Sequence, residues 1–394
     1  MNCSLVIKVV VLTLAIALSA CSSMPSVSQQ VQVGAEQGEQ YLALLENKKV
    51  ALVVNQSSKV NEQHLLDYLL SKNVDVVRIF APEHGFRGDY DAGAHVENAI
   101  DPKTGIAITS IYGKDKKPAR SLLDDIDLII FDIQDVGVRF YTFISSMHYM
   151  MEAAAESNTA FMVFDRPNPN GKFVDGPTLD KAFQSFVGMH PIPVLHGMTM
   201  AEIAKMIKGE KWINQADSLV LNTIANKHYS RDMPYALPVA PSPNLPNSQA
   251  IQLYPSLCFF EATPVSIGRG TAFPFQVLGH DKVALGQFEF TPVSTPGASL
   301  HPKLENQLLY GKDLRQSAIQ GLDLDLFIAA YQQFNQAGLA FFSRAGFMDK
   351  LAGTDRLRVA IQQGKTAEQI RAEWQNDLQA FRKLRKPYLL YPDY

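Results

Sequence analysis

The strongest constraint in this sequence is an alternation between residues 50 and 165. Short, almost continuous apolar runs are separated there by stretches with helical spacing. Residues 50–55, 74–81, 106–112, 127–132 and 159–165 read as strands. Residues 61–72 carry Leu65, Leu66, Leu69 and Leu70 at helical intervals, and a longer helical pattern covers 139–157. Strands buried on both faces lose the polar–apolar alternation of half-exposed ones, and helical connections between them make the sheet parallel. The expected fold class is therefore α/β, with a Rossmann-like parallel-sheet N-terminal domain over 41–225.

A second region follows. Pro234, Pro238, Pro241, Pro243 and Pro246 crowd a short segment, a density that neither a helix nor a central strand accepts. The plain reading is a rigid crossover between domains; a sharper one has the loop wall the cleft as well. Beyond it, residues 256–260 and 289–293 look like strands, and helices are expected near 323–336 and 366–384. The expectation is a smaller mixed α/β auxiliary domain over 226–394. The 394 residues suit two domains of about 100–200 each.

The first twenty residues stand apart. Lys8 precedes an apolar run over 9–18, too short to span a bilayer, which needs about 20 apolar residues. Leu18-Ser19-Ala20-Cys21 resembles the bacterial lipoprotein lipobox, which implies cleavage before Cys21, lipidation of its thiol and a membrane anchor. Residues 1–20 are thus expected to be a signal peptide. Residues 21–40 then form the lipidated cysteine and a polar tether, and Ser22 fits outer-membrane placement facing the periplasm. Cys3 leaves with the signal, so Cys258 remains alone, in an apolar setting that suits a buried structural thiol.

Charge narrows the partners. Lys plus Arg (36) nearly balance Asp plus Glu (39), for a net charge of -3, so no bulk attraction to nucleic acid is expected. The turn after the first strand, Asn55-Gln56-Ser57-Ser58-Lys59, lacks the glycines of a dinucleotide site. His84, His95, His190 and His196 are scattered without tight ligand spacing. No cofactor or metal is implied.

In open α/β sheets, ligands bind beyond the carboxyl ends of the strands. Three acids fall at such ends: Glu83, Asp132 and Asp165. Arg87, Arg139 and Arg166 lie close to them in sequence. Glu83 is flanked by Phe80, Ala81, Pro82 and Phe86, an apolar setting suited to a general acid.

The long run from Phe80 through Gly113, with FDIQDVGVRFYTF, FDRPNPNG and SIGRGT, resembles the exo-β-N-acetylmuramidase family across nearly the whole mature chain. The resemblance implies a Rossmann-like domain joined to a smaller auxiliary domain, with the active site in the cleft between them. It implies exo-acting hydrolysis that frees N-acetylmuramic acid from the non-reducing ends of peptidoglycan fragments. The family's presumed acid maps onto Glu83 in the APEHG match.

Glycosidic cleavage needs a proton donor and a second group that activates water or stabilises the oxocarbenium-like centre. Glu83 takes the first role; for His84 two readings compete, a group that hydrogen-bonds nearby or orients water and a turn histidine that satisfies backbone groups. Asp132 is favoured over Asp135 and Asp165 for the second, although a structural carboxylate competes at each. Muramic acid carries a lactyl carboxylate, which an arginine recognises well. Arg139, Arg166 and Arg269 are the candidates, Arg269 between two glycines. Tyr141, Asp165 and Asn168 complete the substrate-binding set. Two other readings stay open: a non-catalytic muropeptide-binding lipoprotein, and a hydrolase of another class, an esterase or amidohydrolase.

Overall fold

The computed structural model describes residues 30–87 and 98–393. The apolar leader, Cys21 and His95 lie outside them. From Gln32 onward the chain packs as one compact unit. Its centre is a seven-stranded sheet made of β1 (Lys49–Val54), β4 (Asp75–Ala81), β5 (Ala99–Ile100), β6 (Ala107–Ser110), β7 (Leu128–Asp132), β8 (Ala160–Phe164) and β9 (Leu221–Ile224). The order is β5-β6-β4-β1-β7-β8-β9. Only β5 runs antiparallel to its neighbour. A small hairpin, β2 (Lys59–Val60) and β3 (Gln63–His64), follows β1.

Burial explains the continuous apolar runs. β1 and β7 are buried almost throughout, because both faces of the sheet are covered. One face carries the helix Phe143–Ser157 (α2) and the helix Met200–Gly209 (α3), in a core that runs on into the second half of the chain. The other carries the helix Leu65–Ser71 (α1) with Tyr41 and Phe164. The parallel α/β expectation is met.

Two expectations need correction. The helical pattern over 139–157 becomes helix only from Phe143, because Arg139 N–H donates to Val194 O and Tyr141 N–H to Val138 O in a preceding turn. Residues 256–260 are not a strand. They end the helix Ser248–Leu257 (α4) and open a 3₁₀ turn over Cys258–Ala262. A short apolar run buried on all sides carries no period that separates strand from helix. Here the Asn247 side chain, accepting from Ala250 N–H at 2.9 Å, starts the helix. Strand β11 (Phe288–Phe290) overlaps the expected 289–293. It joins β10 (Val277–His280) and β12 (Leu309–Asp313) in a three-stranded antiparallel sheet. Helices Asp325–Gln336 (α5) and Ala345–Ala352 (α6) follow, and the expected 366–384 helix breaks at Trp374.

Candidate active site

β1 sits where the chain reverses its direction of travel across the sheet, with β4 on one side and β7 on the other. Such a reversal opens a crevice beyond the strands' carboxyl ends, and Glu83 lies two residues past β4. The turn that carries it is tight: Gly85 N–H donates to Pro82 O at 2.9 Å, and His84 takes a left-handed φ of 68°. A cavity of about 710 Å³ opens here, lined by both halves of the chain. Glu83, His84, Tyr112, Tyr141 and Thr142 come from the first half; Tyr254, Glu261, Arg269 and Arg344 come from the second.

Glu83 is held at both oxygens. Tyr112 OH donates to Oε1 at 2.9 Å and Thr142 Oγ1 to Oε2 at 2.6 Å. Burial, and then the charge of Glu83, pushes the Tyr112 phenol above its usual range, so it remains a donor.

A cationic cluster forms another part of the wall. Arg269 Nε donates to Glu261 Oε1 at 2.6 Å, its guanidinium lying 5.0 Å from the centre of the Phe275 ring. Its backbone requires glycine on both sides. Gly268 and Gly270 have φ of 80° and 78°, and an added Cβ would come within 2.7 Å of Phe273 O at the first and 2.5 Å of Val293 O at the second. Lys303 Nζ donates to the carbonyls of Phe260, Glu261 and Thr263. Burial alone would raise the Glu261 carboxyl, but Arg269 and Lys303 outweigh it and hold it below its usual range. Arg344, exposed at the start of α6, stacks on Phe347 at 4.5 Å and makes no ion pair among the described residues.

The proline-rich crossover does wall the cavity through Ser242, Asn244 and Leu245. It is fastened at Pro241, whose carbonyl accepts from Tyr141 OH at 2.9 Å and Gln56 Nε2 at 3.1 Å. Cys258 also lines the cavity as a free buried thiol, pushed far above its usual range by burial.

The structure does not bring every expected residue here. Of the sequence candidates among the described residues, Glu83, His84, Tyr141 and Arg269 line the cavity, whereas Asp132, Arg139, Asp165, Arg166 and Asn168 do not. Asp132 and Arg166 face each other instead, in a buried two-bond pair at 2.6 and 2.9 Å. Arg139 points into the protein, where four backbone carbonyls, of Pro177, Ile192, Leu351 and Ala352, accept from its terminal nitrogens. Asp165 accepts from Tyr391 OH at 2.6 Å and Ala201 N–H at 3.0 Å, while burial pushes its carboxyl up to about 7. Asn168 braces a turn, donating to Met198 O and accepting from Asn170 N–H. Gly137 lies so close that a Cβ there would meet its amide at 2.0 Å. Asp135 accepts from Gly137 N–H at 2.6 Å and burial raises it to about 7.

Tyr112, Thr142, Glu261 and Arg344 escaped the sequence reading. Tyr112 and Thr142 sit inside the runs that carry the family resemblance, yet nothing local says that they meet Glu83. Arg344 lies in no distinctive run.

Comparison with known proteins identifies the family. The family model for the N-terminal part of the exo-β-N-acetylmuramidase NamZ matches residues 50–249, and that for its C-terminal part matches residues 252–391. The peptidoglycan β-N-acetylmuramidase NamZ of Bacillus subtilis is 38% identical over 375 residues, covering 89% of each chain. Two crystal structures of DUF1343-family proteins from Bacteroides fragilis share the fold. One has a TM-score of 0.84 at 44% identity, covering 93% of this chain and 100% of that one. The other has a TM-score of 0.79 at 29% identity, covering 92% and 99%. With both family models matched in order over one continuous fold, this chain belongs to the exo-β-N-acetylmuramidase NamZ family and is a glycosidase.

Proposed function

We propose that the protein frees N-acetylmuramic acid from the non-reducing end of peptidoglycan fragments, with Glu83 as the general acid. The observation that carries this reading is the pairing, in one cavity, of a carboxyl group held at both oxygens with the Arg269–Arg344 cationic wall. An acid serves the glycosidic oxygen. Guanidinium groups serve the lactyl carboxylate that distinguishes muramic acid from glucosamine.

In this mechanism Glu83 gives its proton to the leaving oxygen as the bond to the anomeric carbon breaks. Water then adds to that carbon and gives its proton to the Glu83 carboxylate, which restores the acid. Glu261, the other carboxylate lining the cavity among the described residues, is committed to Arg269. That favours the substrate's own N-acetyl oxygen as the group that stabilises the anomeric centre, a route open to N-acetylated sugars. Asp132 and Arg166 form a structural pair behind the rim.

Incubation with a chromogenic β-N-acetylmuraminide and with a disaccharide ending in muramic acid tests the reading. Free muramic acid from both is expected, and its absence from both would overturn it. Glu83→Gln should keep binding and lose turnover; a wild type that binds without any turnover would instead be a muropeptide-binding protein. The proposal includes export and anchoring through Cys21, checked by whether Cys21→Ala moves the protein from the membrane to the soluble fraction.

A further inference from the structure

The hydrolysis just proposed breaks a bond between two sugars, and the cationic wall accounts for only one of them. We propose that Phe186, with Tyr112 beside it, forms the subsite for the leaving pyranose. This rests on the reading of Glu83 as the acid.

The acid must touch the oxygen that the two sugars share. Groups next to Glu83 but apart from the carboxylate-binding wall therefore face the sugar that departs. The contacts separate the two regions. Arg269 is reached from the middle of the cavity through a chain of rings, Tyr141 to Tyr254 at 5.8 Å, Tyr254 to Phe275 at 5.0 Å, then the guanidinium on Phe275. Tyr112 instead connects Glu83 to Phe186, whose ring centres lie 5.8 Å apart.

Phe186 is half-buried and held at the cavity by its backbone. Ser185 and Gly188 exchange backbone hydrogen bonds at 2.9 and 3.0 Å, which leaves Phe186 and Val187 as the two residues at the tip of a tight turn. Both line the cavity. Ser145 Oγ donates to Phe186 O at 2.7 Å and fixes that tip to α2. The Phe186 ring lies nearly parallel to Tyr149, 6.3 Å between centres, and Lys116 Nζ sits 5.2 Å from it. An aromatic side chain anchored in this way provides a rigid apolar surface for the C–H face of a pyranose. Binding the part of the substrate that does not react can lower the barrier as well as KM.

Two donors with the same muramic acid decide the matter: one with a sugar as leaving group, the other the methyl β-glycoside. Phe186→Leu, which keeps apolar volume without the ring, and Phe186→Ala should each lose about tenfold or more in kcat/KM on the disaccharide. Each should change less than about twofold on the methyl glycoside. Phe186→Tyr should stay close to wild type on both. Equal losses on the two donors, or no loss on either, would overturn the subsite. If Phe186→Ala does not fold, Phe186→Leu carries the comparison alone. A wild type that cleaves neither donor overturns the hydrolysis itself, an outcome separate from a subsite failure.

Discussion

Thr142 occupies the N-cap position of α2, yet its hydroxyl makes no capping bond and donates at 2.6 Å to Glu83 Oε2. A group that would ordinarily close a helix end is turned toward the site. The carboxyl group it holds thus lies beside the first turn of a 15-residue helix.

Thr142→Val keeps the shape and removes the hydroxyl. Glu83 gains charge as it gives up its proton, and a hydrogen bond to a charged group contributes about 1.5–3 kcal/mol, so kcat should fall about 10- to 100-fold with KM little changed. No capping bond is lost, so stability should stay within about 0.5 kcal/mol of wild type. Steady-state kinetics with a denaturant melt tests both halves, and a large loss of stability would contradict the diverted hydroxyl.

His84 combines a side chain at the cavity with a backbone angle of 68° that L-residues rarely adopt. The two roles separate by substitution. His84→Gly accepts the angle and should be more stable than His84→Val while losing turnover. His84→Val should be destabilised by about 1–2 kcal/mol, because a β-branched residue is strained there. Thermal melts that rank the two variants in the reverse order would refute the strained turn.

Arg139 and the Asp132–Arg166 pair should matter for folding, not for recognition. Arg139→Met leaves four buried carbonyls without a donor, and Asp132→Ala leaves a buried guanidinium without its partner. Each should cost about 3–5 kcal/mol. The folded fraction should keep the wild-type preference for muramic acid over glucosamine glycosides. Arg269→Ala should show the opposite pattern, losing that preference. Altered sugar preference in Arg139→Met would refute the assignment.

The buried imidazoles set an acid limit on stability. His148 Nδ1 and His190 Nε2 lie 2.9 Å apart, and burial holds His148 down to about 4. Between that value and the ordinary value of about 6.5, the unfolded chain binds a proton that the folded one refuses. The stabilisation is therefore complete above 6.5 and lost as pH falls through 4. Asp165, raised to about 7, works in the opposite sense: its contribution is present below the usual carboxylate range and lost as pH rises through 7. Removing only the imidazole, in His148→Gln, should make the unfolding free energy less steep between pH 4 and 6.5 by about one proton. Superimposable slopes would refute it.

What could be read from the sequence follows a physical divide. Parallel strands announce themselves because burial on both faces forces continuous apolar runs, and Glu83 follows from its place beyond one of them. Arg269 was legible because glycines on both sides need a reason. The fates of Asp132, Arg139 and Arg166 were not, because a polar residue at a strand end can turn outward or beneath the rim. What decides is a partner far along the chain: Asp132 and Arg166 are 34 residues apart, and Arg139 reaches carbonyls more than 200 residues on. The two halves of the cavity wall meet only in space, so the link from Thr142 to Glu83, 59 residues apart, left no local trace.

Asp165, at the carboxyl end of β8, finds its closest donor in Tyr391, 226 positions later. The sheet that carries the acid is thus finished by a residue from the opposite end of the chain. Loop closure over such a distance must come before the contact can repay it. This one contact at the rim therefore cannot form until the chain has been made through Tyr391.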